Sequence, residues 1–250
     1  MLVRSNHPFR IAIMDALPRK YWADDEGITD GEKFHDLLSA QNDEVGLDIF
    51  YASENEFPDR IEDYDGYLIT GSPASVNDSD DWIVRLSELI VEADNRDRRI
   101  VASCFGHQLV AKTFGGEVGK NEHGWMIGNY PLQITREYDW MQPQLLTTDL
   151  YHFNQERVKR LPDTAVSFAR CDAYPDFAYT IADHILCVQG HPEQPLRAMN
   201  NFLAAMDDIS DDERQQALRQ INDGVPDAGT WGQWMMQFFI RDQEQRRDDE

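Results

Sequence analysis

The sequence predicts an α/β fold in which a parallel sheet is covered by helices on both faces. Two observations predict it. Short, continuously apolar runs recur along the first half of the chain, as strands buried on both faces require. Between them lie stretches whose apolar residues recur at helical spacing, and strand–helix alternation of this length favours parallel pairing.

Taken in order, Arg10 to Asp15 (RIAIMD) reads as a first buried strand. Asp30 to Gln41 has helical spacing through Phe34, Leu37 and Leu38, with Asp30 as the expected N-cap. Leu47 to Tyr51 and Tyr64 to Thr70 read as the next two strands, the latter stopped by Gly71-Ser72-Pro73. Asp80 to Asp94 is expected to be helical, with Trp82, Leu86, Leu89 and Ile90 on one face. Arg99 to Ser103 is a fourth strand that runs into Cys104 and a helix from His107 to Phe114. The pattern then changes. Tyr130 to Thr135, Ala165 to Arg170, Phe177 to Ile181 and Ile185 to Gln189 read as short strands joined by turns. Met199 to Ile240 is helical again, broken near 207–212 and 224–229. Without a Pro/Gly/Ser-rich linker to cut at, residues 1–240 are expected to form one domain, followed by a polar tail over 241–250.

Bulk properties narrow the function. A net charge of −23 opposes nucleic-acid binding, which needs a positive surface to displace counterions, and opposes docking on anionic lipid. No apolar run approaches the ~20 residues that span a bilayer. The first ten residues lack the apolar core of a secretory signal, so a cytoplasmic address is expected. Three scattered cysteines, at 104, 171 and 187, suit neither a disulfide framework nor a zinc site. No metal or other cofactor is expected, and no phosphate-cradling loop appears.

The sharpest chemical feature is Val101-Ala102-Ser103-Cys104-Phe105-Gly106-His107-Gln108. A buried strand that ends in a nucleophile, with glycine two residues on, is the layout of a nucleophile elbow. It would lift Cys104 out of the sheet's C-terminal edge and set it at a helix N-terminus, where the thiolate is favoured. The plainer reading is a buried structural cysteine. A thiolate needs a base, and the base an orienting group. His191-Pro192-Glu193 follows the apolar strand from Ile185, which would deliver His191 to the same edge, with Glu193 reaching back to fix the imidazole tautomer. Acyl transfer also needs oxyanion donors. The Gly71 turn and the Phe105 N–H could supply them, although a GSP turn by itself is common. Cys187 reads as core, and the cluster Trp231 to Phe239 as packing.

In that order, GSP at 71–73, CFGHQ at 104–108 and GHPE at 190–193 resemble the class I glutamine amidotransferase family. DDWI at 80–83 and the run from Cys104 to Asn121 resemble its free-standing members, of the GMP-synthase-like or plant γ-glutamyl peptidase type. The resemblance covers about residues 60 to 195. It implies a doubly wound, flavodoxin-like α/β sheet with a helical C-terminal extension, and a Cys-His-Glu triad. Cys104 would be the nucleophile, His191 the base and then the acid, and Glu193 its orienter. Gly71 and Phe105 would hold the oxyanion, and Ser72, Gln108 and Asn154 would line the substrate pocket. The implied reaction is hydrolysis of glutamine or another γ-glutamyl small molecule through a thioester. Ammonia would pass to a separate acceptor or synthetase protein. A γ-glutamyl peptidase acting on glutathione-like conjugates, and a silent binding module, are the alternatives. Two departures stand out. Ala102 replaces the glycine usual in the elbow, and Asn154 stands where histidine is common in a His-x-Asp-x-Val segment.

Overall fold

The computed structural model describes residues 9–241 except Glu26, His123, Ala173 and Asp208. All but the first residue of the expected polar tail lies outside them. The elements run β1 Arg10–Asp15, α1 Asp30–Ser39, β2 Gly46–Tyr51, β3 Gly66–Ile69, α2 Asp81–Asp94, β4 Arg99–Ser103 and α3 Phe105–Thr113. Then follow β5 Glu117–Lys120, β6 Met126–Ile134, β7 Thr147–Asn154, β8 Glu156–Arg160, β9 Ala165–Arg170, β10 Ala178–Ile181 and β11 Ile185–Val188. Three helices close the described chain: α4 Leu196–Ala205, α5 Asp211–Ile221 and α6 Ala228–Ile240.

One nine-stranded sheet has the order β2-β1-β3-β4-β11-β10-β9-β6-β7. The pairings from β2 to β11 are parallel, and those from β11 to β7 antiparallel. The parallel half is buried on both faces because successive residues alternate between two cores. Ile11, Ile13, Leu68, Val101 and Leu186 face a core shared with α1 and α6, whereas Ala12, Met14, Tyr67, Ile69, Ala102 and Cys187 face one shared with α2 and α3. Strand order reverses between β1 and β3, and in open α/β sheets ligands bind outside the C-terminal ends of the strands at such a reversal. Among the described residues no helix is long and apolar enough to cross a membrane.

Several expectations need correction. Thr29, not Asp30, caps α1. Its hydroxyl accepts from the Glu32 N–H, and the Glu32 carboxylate accepts from the Thr29 N–H at 2.8 Å, a reciprocal capping box that the run Thr-Asp-Gly-Glu encodes. Asp30 is thereby released into the first turn, buried. Helix α3 starts at Phe105, two residues earlier than expected, with Cys104 itself as its N-cap residue. Strands β5, β7 and β8 carry too many charged and polar residues for an apolar-run criterion to find them. The helical C-terminal extension is present, and the Trp231 to Phe239 cluster on α6 is packing, as expected. Trp231, Trp234, Phe238 and Phe239 are fully buried under the sheet, and a side chain at Gly66 would strike the Phe239 ring at 2.7 Å.

Gly106 marks the tightest approach of helix to sheet. A Cβ there would lie 2.7 Å from the Ile69 carbonyl oxygen and 2.9 Å from Ile69 Cβ, both on β3. Gly106→Ala will therefore lower stability by about 3 kcal/mol, read as a reduced urea midpoint at unchanged m.

Candidate active site

Three strand ends build the site. At the end of β4, Cys104 adopts φ 47° and ψ −103°, a conformation that L residues rarely hold. Backbone bonds on both sides enforce it. The Cys104 N–H donates to the Val188 carbonyl of β11 at 2.9 Å, and the Gly106 N–H donates to the Thr70 carbonyl after β3 at 3.2 Å. Cys104 as a residue is 5% exposed, at the N-terminus of α3.

The end of β11 brings His191 to the same edge. Ser103 Oγ donates to the Gly190 carbonyl at 2.8 Å, which clips the two strand ends together. The His191 N–H donates to the Tyr151 carbonyl of β7 at 2.8 Å, which fixes the histidine backbone from the other side. Nδ1 of His191 lies 2.8 Å from Glu193 Oε1 across a two-residue turn, and the Glu193 side chain is wholly buried. Nε2 has no hydrogen-bond partner among the described residues. Burial opposes the imidazolium, but the charges of Cys104 and Glu193 outweigh it and hold the His191 pKa well above the ordinary histidine value.

Gly71, at the end of β3, completes the convergence. A Cβ built there would sit 3.0 Å from His191 Cε1, 3.6 Å from Cys104 Cβ and 3.6 Å from Asp30 Oδ2. Only glycine leaves that space open. Among the described residues no acceptor takes the N–H of Gly71 or of Phe105, so both amides remain for a ligand. The Phe105 ring is turned away and packs on Trp82 at 5.4 Å.

The remaining expected residues fall in two groups. Ser72 Oγ accepts from the Ala74 N–H within its own turn at 3.2 Å. Gln108 and Asn154 do come together. Gln108 Nε2 donates to the Glu156 carbonyl at 2.8 Å and to Gln189 Oε1 at 3.1 Å; Asn154 Nδ2 donates to the same carbonyl at 3.0 Å and to the Tyr174 hydroxyl at 2.9 Å. Asn154 Oδ1 and Gln189 Nε2 are buried without a partner among the described residues. Buried orphan amides of this kind are costly, and a polar ligand would satisfy them. His107 lies against this group, neutral, its pKa pushed down to about 3 by burial.

Sequence reasoning missed a second cluster at the start of α1. Lys33 Nζ donates to Asp30 Oδ1 at 3.1 Å and to Gln194 Oε1 at 3.0 Å. Gln194 Nε2 in turn donates to Asp30 Oδ1 at 2.7 Å and to Glu193 Oε1 at 3.2 Å. Asp15, wholly buried at the end of β1, has its pKa raised to about 6 by burial and by the nearby Asp30 charge. Gln194 could have been flagged by its place next to Glu193. Asp30 could not, because only the strand order sets α1 beside β3 and β11.

Residues 34–207 match the family model described as glutamine amidotransferase class-I. γ-Glutamyl peptidase 3 of Arabidopsis thaliana is 31% identical over 156 residues, 58% of this chain and 62% of that protein. γ-Glutamyl peptidase 5 of the same plant is 27% identical over 206 residues, 78% and 81% of the two chains. A glutamine-hydrolysing GMP synthase chain from Archaeoglobus fulgidus is 32% identical over 122 residues, 48% of this chain and 61% of that one. The match thus spans about three fifths of peptidase 3 and of the synthase chain. In fold, a glutamine amidotransferase from Thermotoga maritima superposes with a TM-score of 0.75 over 94% of this chain and 98% of that one, at 15% identity.

Proposed function

Because this chain belongs to the class-I glutamine amidotransferase family, we propose that it hydrolyses a γ-glutamyl amide through a thioester on Cys104. The observation that carries the reading is the strained turn at Cys104, beside a histidine whose far nitrogen is held by a buried glutamate. A φ of 47° at a non-glycine residue is a stored cost, and such costs cluster where geometry serves chemistry.

In this reading Cys104 Sγ attacks the γ-carbonyl carbon, and the oxyanion that forms lies between the amides of Gly71 and Phe105. His191 Nε2 gives its proton to the amide nitrogen, the C–N bond breaks, and the amine departs. Water then attacks the thioester with His191 as base, and glutamate leaves as Sγ regains its charge. Glu193 keeps the proton on Nδ1 and compensates the imidazolium. Gln108, Asn154 and Tyr174 line the glutamyl side, where the orphan amide atoms lie. Ammonia from glutamine would be released or taken up by a separate acceptor or synthetase protein. The likeness to γ-glutamyl peptidases favours a second reading of the same site, with a peptide rather than ammonia as leaving group.

The test is release of glutamate and ammonia from glutamine, and of glutamate from γ-glutamyl dipeptides and glutathione, with Cys104→Ala as control. Cysteine-dependent release from either class supports the hydrolase. Release from neither, or release that survives Cys104→Ala, contradicts it.

A further inference from the structure

Asp30 stands in the site without a task in the mechanism above. Its carboxylate is divided in use. Oδ1 takes both Lys33 Nζ and Gln194 Nε2, whereas Oδ2 receives no hydrogen bond among the described residues. Oδ2 is also the oxygen that lies 3.6 Å from the position a Cβ would take at Gly71, a position that His191 Cε1 at 3.0 Å and Cys104 Cβ at 3.6 Å border as well. His191, 7% exposed, brings its unpartnered Nε2 on the same ring edge. That nitrogen is the one that protonates a leaving amine, so the leaving group must lie beside His191. The amide-lined group of Gln108 and Asn154 takes the glutamyl side. Asp30 therefore belongs to the leaving-group side. The local charge agrees, since Asp15, Asp30 and Glu193 are all buried there and Lys33 pairs with Asp30.

Resting on the hydrolase reading, we propose that Asp30 is a carboxylate acceptor for the leaving nitrogen, and that it suits the site to amides of basic amines. When His191 Nε2 protonates the nitrogen of the tetrahedral intermediate, that nitrogen becomes a cation with two N–H bonds for an alkylamine or α-amino leaving group and three for ammonia. Asp30 Oδ2 accepts one of them. The C–N bond then breaks, its electron pair goes to nitrogen, the oxyanion re-forms the carbonyl, and a neutral amine leaves. Lys33 and Gln194 hold the carboxylate in place by saturating Oδ1. The substrate class this favours is γ-glutamyl amides of alkylamines, of α-amino groups or of ammonia, over those of anilines, whose nitrogen hardly takes a proton.

The experiment compares kcat/KM, which reports the steps through amine release, for γ-glutamylglycine and γ-glutamyl-4-nitroanilide in the wild type and in Asp30→Asn. A charge-assisted hydrogen bond is worth about 10- to 100-fold. Asp30→Asn is expected to lose that factor on the dipeptide and less than about 3-fold on the anilide. Equal losses on both substrates, or none on either, overturn the proposal. Since Asp30→Asn leaves the Lys33 ammonium buried without its counter-ion, the double variant Asp30→Asn/Lys33→Met is run alongside and must show the same selectivity. Wild-type hydrolysis that Cys104→Ala abolishes keeps the hydrolase reading standing if the selectivity fails. If the wild type cleaves neither substrate the proposal falls, and Cys104-dependent release of ammonia from glutamine then decides separately whether the hydrolase reading stands.

Discussion

Cys104→Gly will unfold at a higher urea concentration than Cys104→Ala, while both variants lose turnover to background. The usual order is the reverse, since glycine in place of alanine costs about 0.5–1 kcal/mol in chain entropy. At φ 47° and ψ −103° a Cβ is the liability, worth on the order of 1–3 kcal/mol, and glycine removes it. The backbone bonds from Cys104 to Val188 and from Gly106 to Thr70 hold the turn whatever the side chain, so the comparison reads the strain itself. Equal midpoints would mean that the turn relaxes once the thiol is gone. In that case the elbow would be a product of the cysteine side chain and not of the strand–helix junction.

Glu193→Gln will lower kcat by about a thousandfold with little change in KM, because the residue touches His191 and not the substrate. A glutamine cannot both accept from Nδ1–H and compensate an imidazolium. The pH profile separates this from a loss of packing. The Glu193 charge is one of the two that raise the His191 pKa above its ordinary value, so the acid form of His191 persists to high pH in the wild type and is lost as pH rises through that raised value. Removing the charge lowers it, and the alkaline limb of kcat/KM will move to lower pH in Glu193→Gln. A packing defect would lower the whole profile without moving that limb.

Much of this was legible in the chain, for identifiable reasons. Strands β1, β3, β4 and β11 are continuous apolar runs because both faces of the parallel sheet are covered, and three of them end in the motifs that carry Gly71, Cys104 and His191. The antiparallel half was harder. Strand β7 packs Leu150 and Tyr151 into two different apolar clusters but carries Thr147, Thr148, Asp149, His152 and Asn154, and β8 is mostly charged, so Thr147 to Arg160 shows no apolar run to read. The capping box at Thr29 was written in the sequence but masked by Asp30, an equally good capping residue. The cluster of Asp30, Lys33 and Gln194 spans 164 positions between Asp30 and Gln194 and arises only from the strand order. No local pattern encodes a contact of that separation. The Gln108–Asn154 meeting is similar in kind, made where both side chains donate to the carbonyl of Glu156 at the start of β8.

The central claim is that Cys104 forms the thioester, and one measurement addresses it directly. The protein is incubated with a glutamine-analogue diazoketone, digested, and the peptides that carry its three cysteines are sequenced by tandem mass spectrometry. The account predicts a stoichiometric adduct on Cys104, absent from Cys171 and Cys187, with loss of γ-glutamyl hydrolysis in proportion to labelling. Hydrolysis that continues unchanged with Cys104 fully labelled, or an inactivating adduct on another residue, would contradict it.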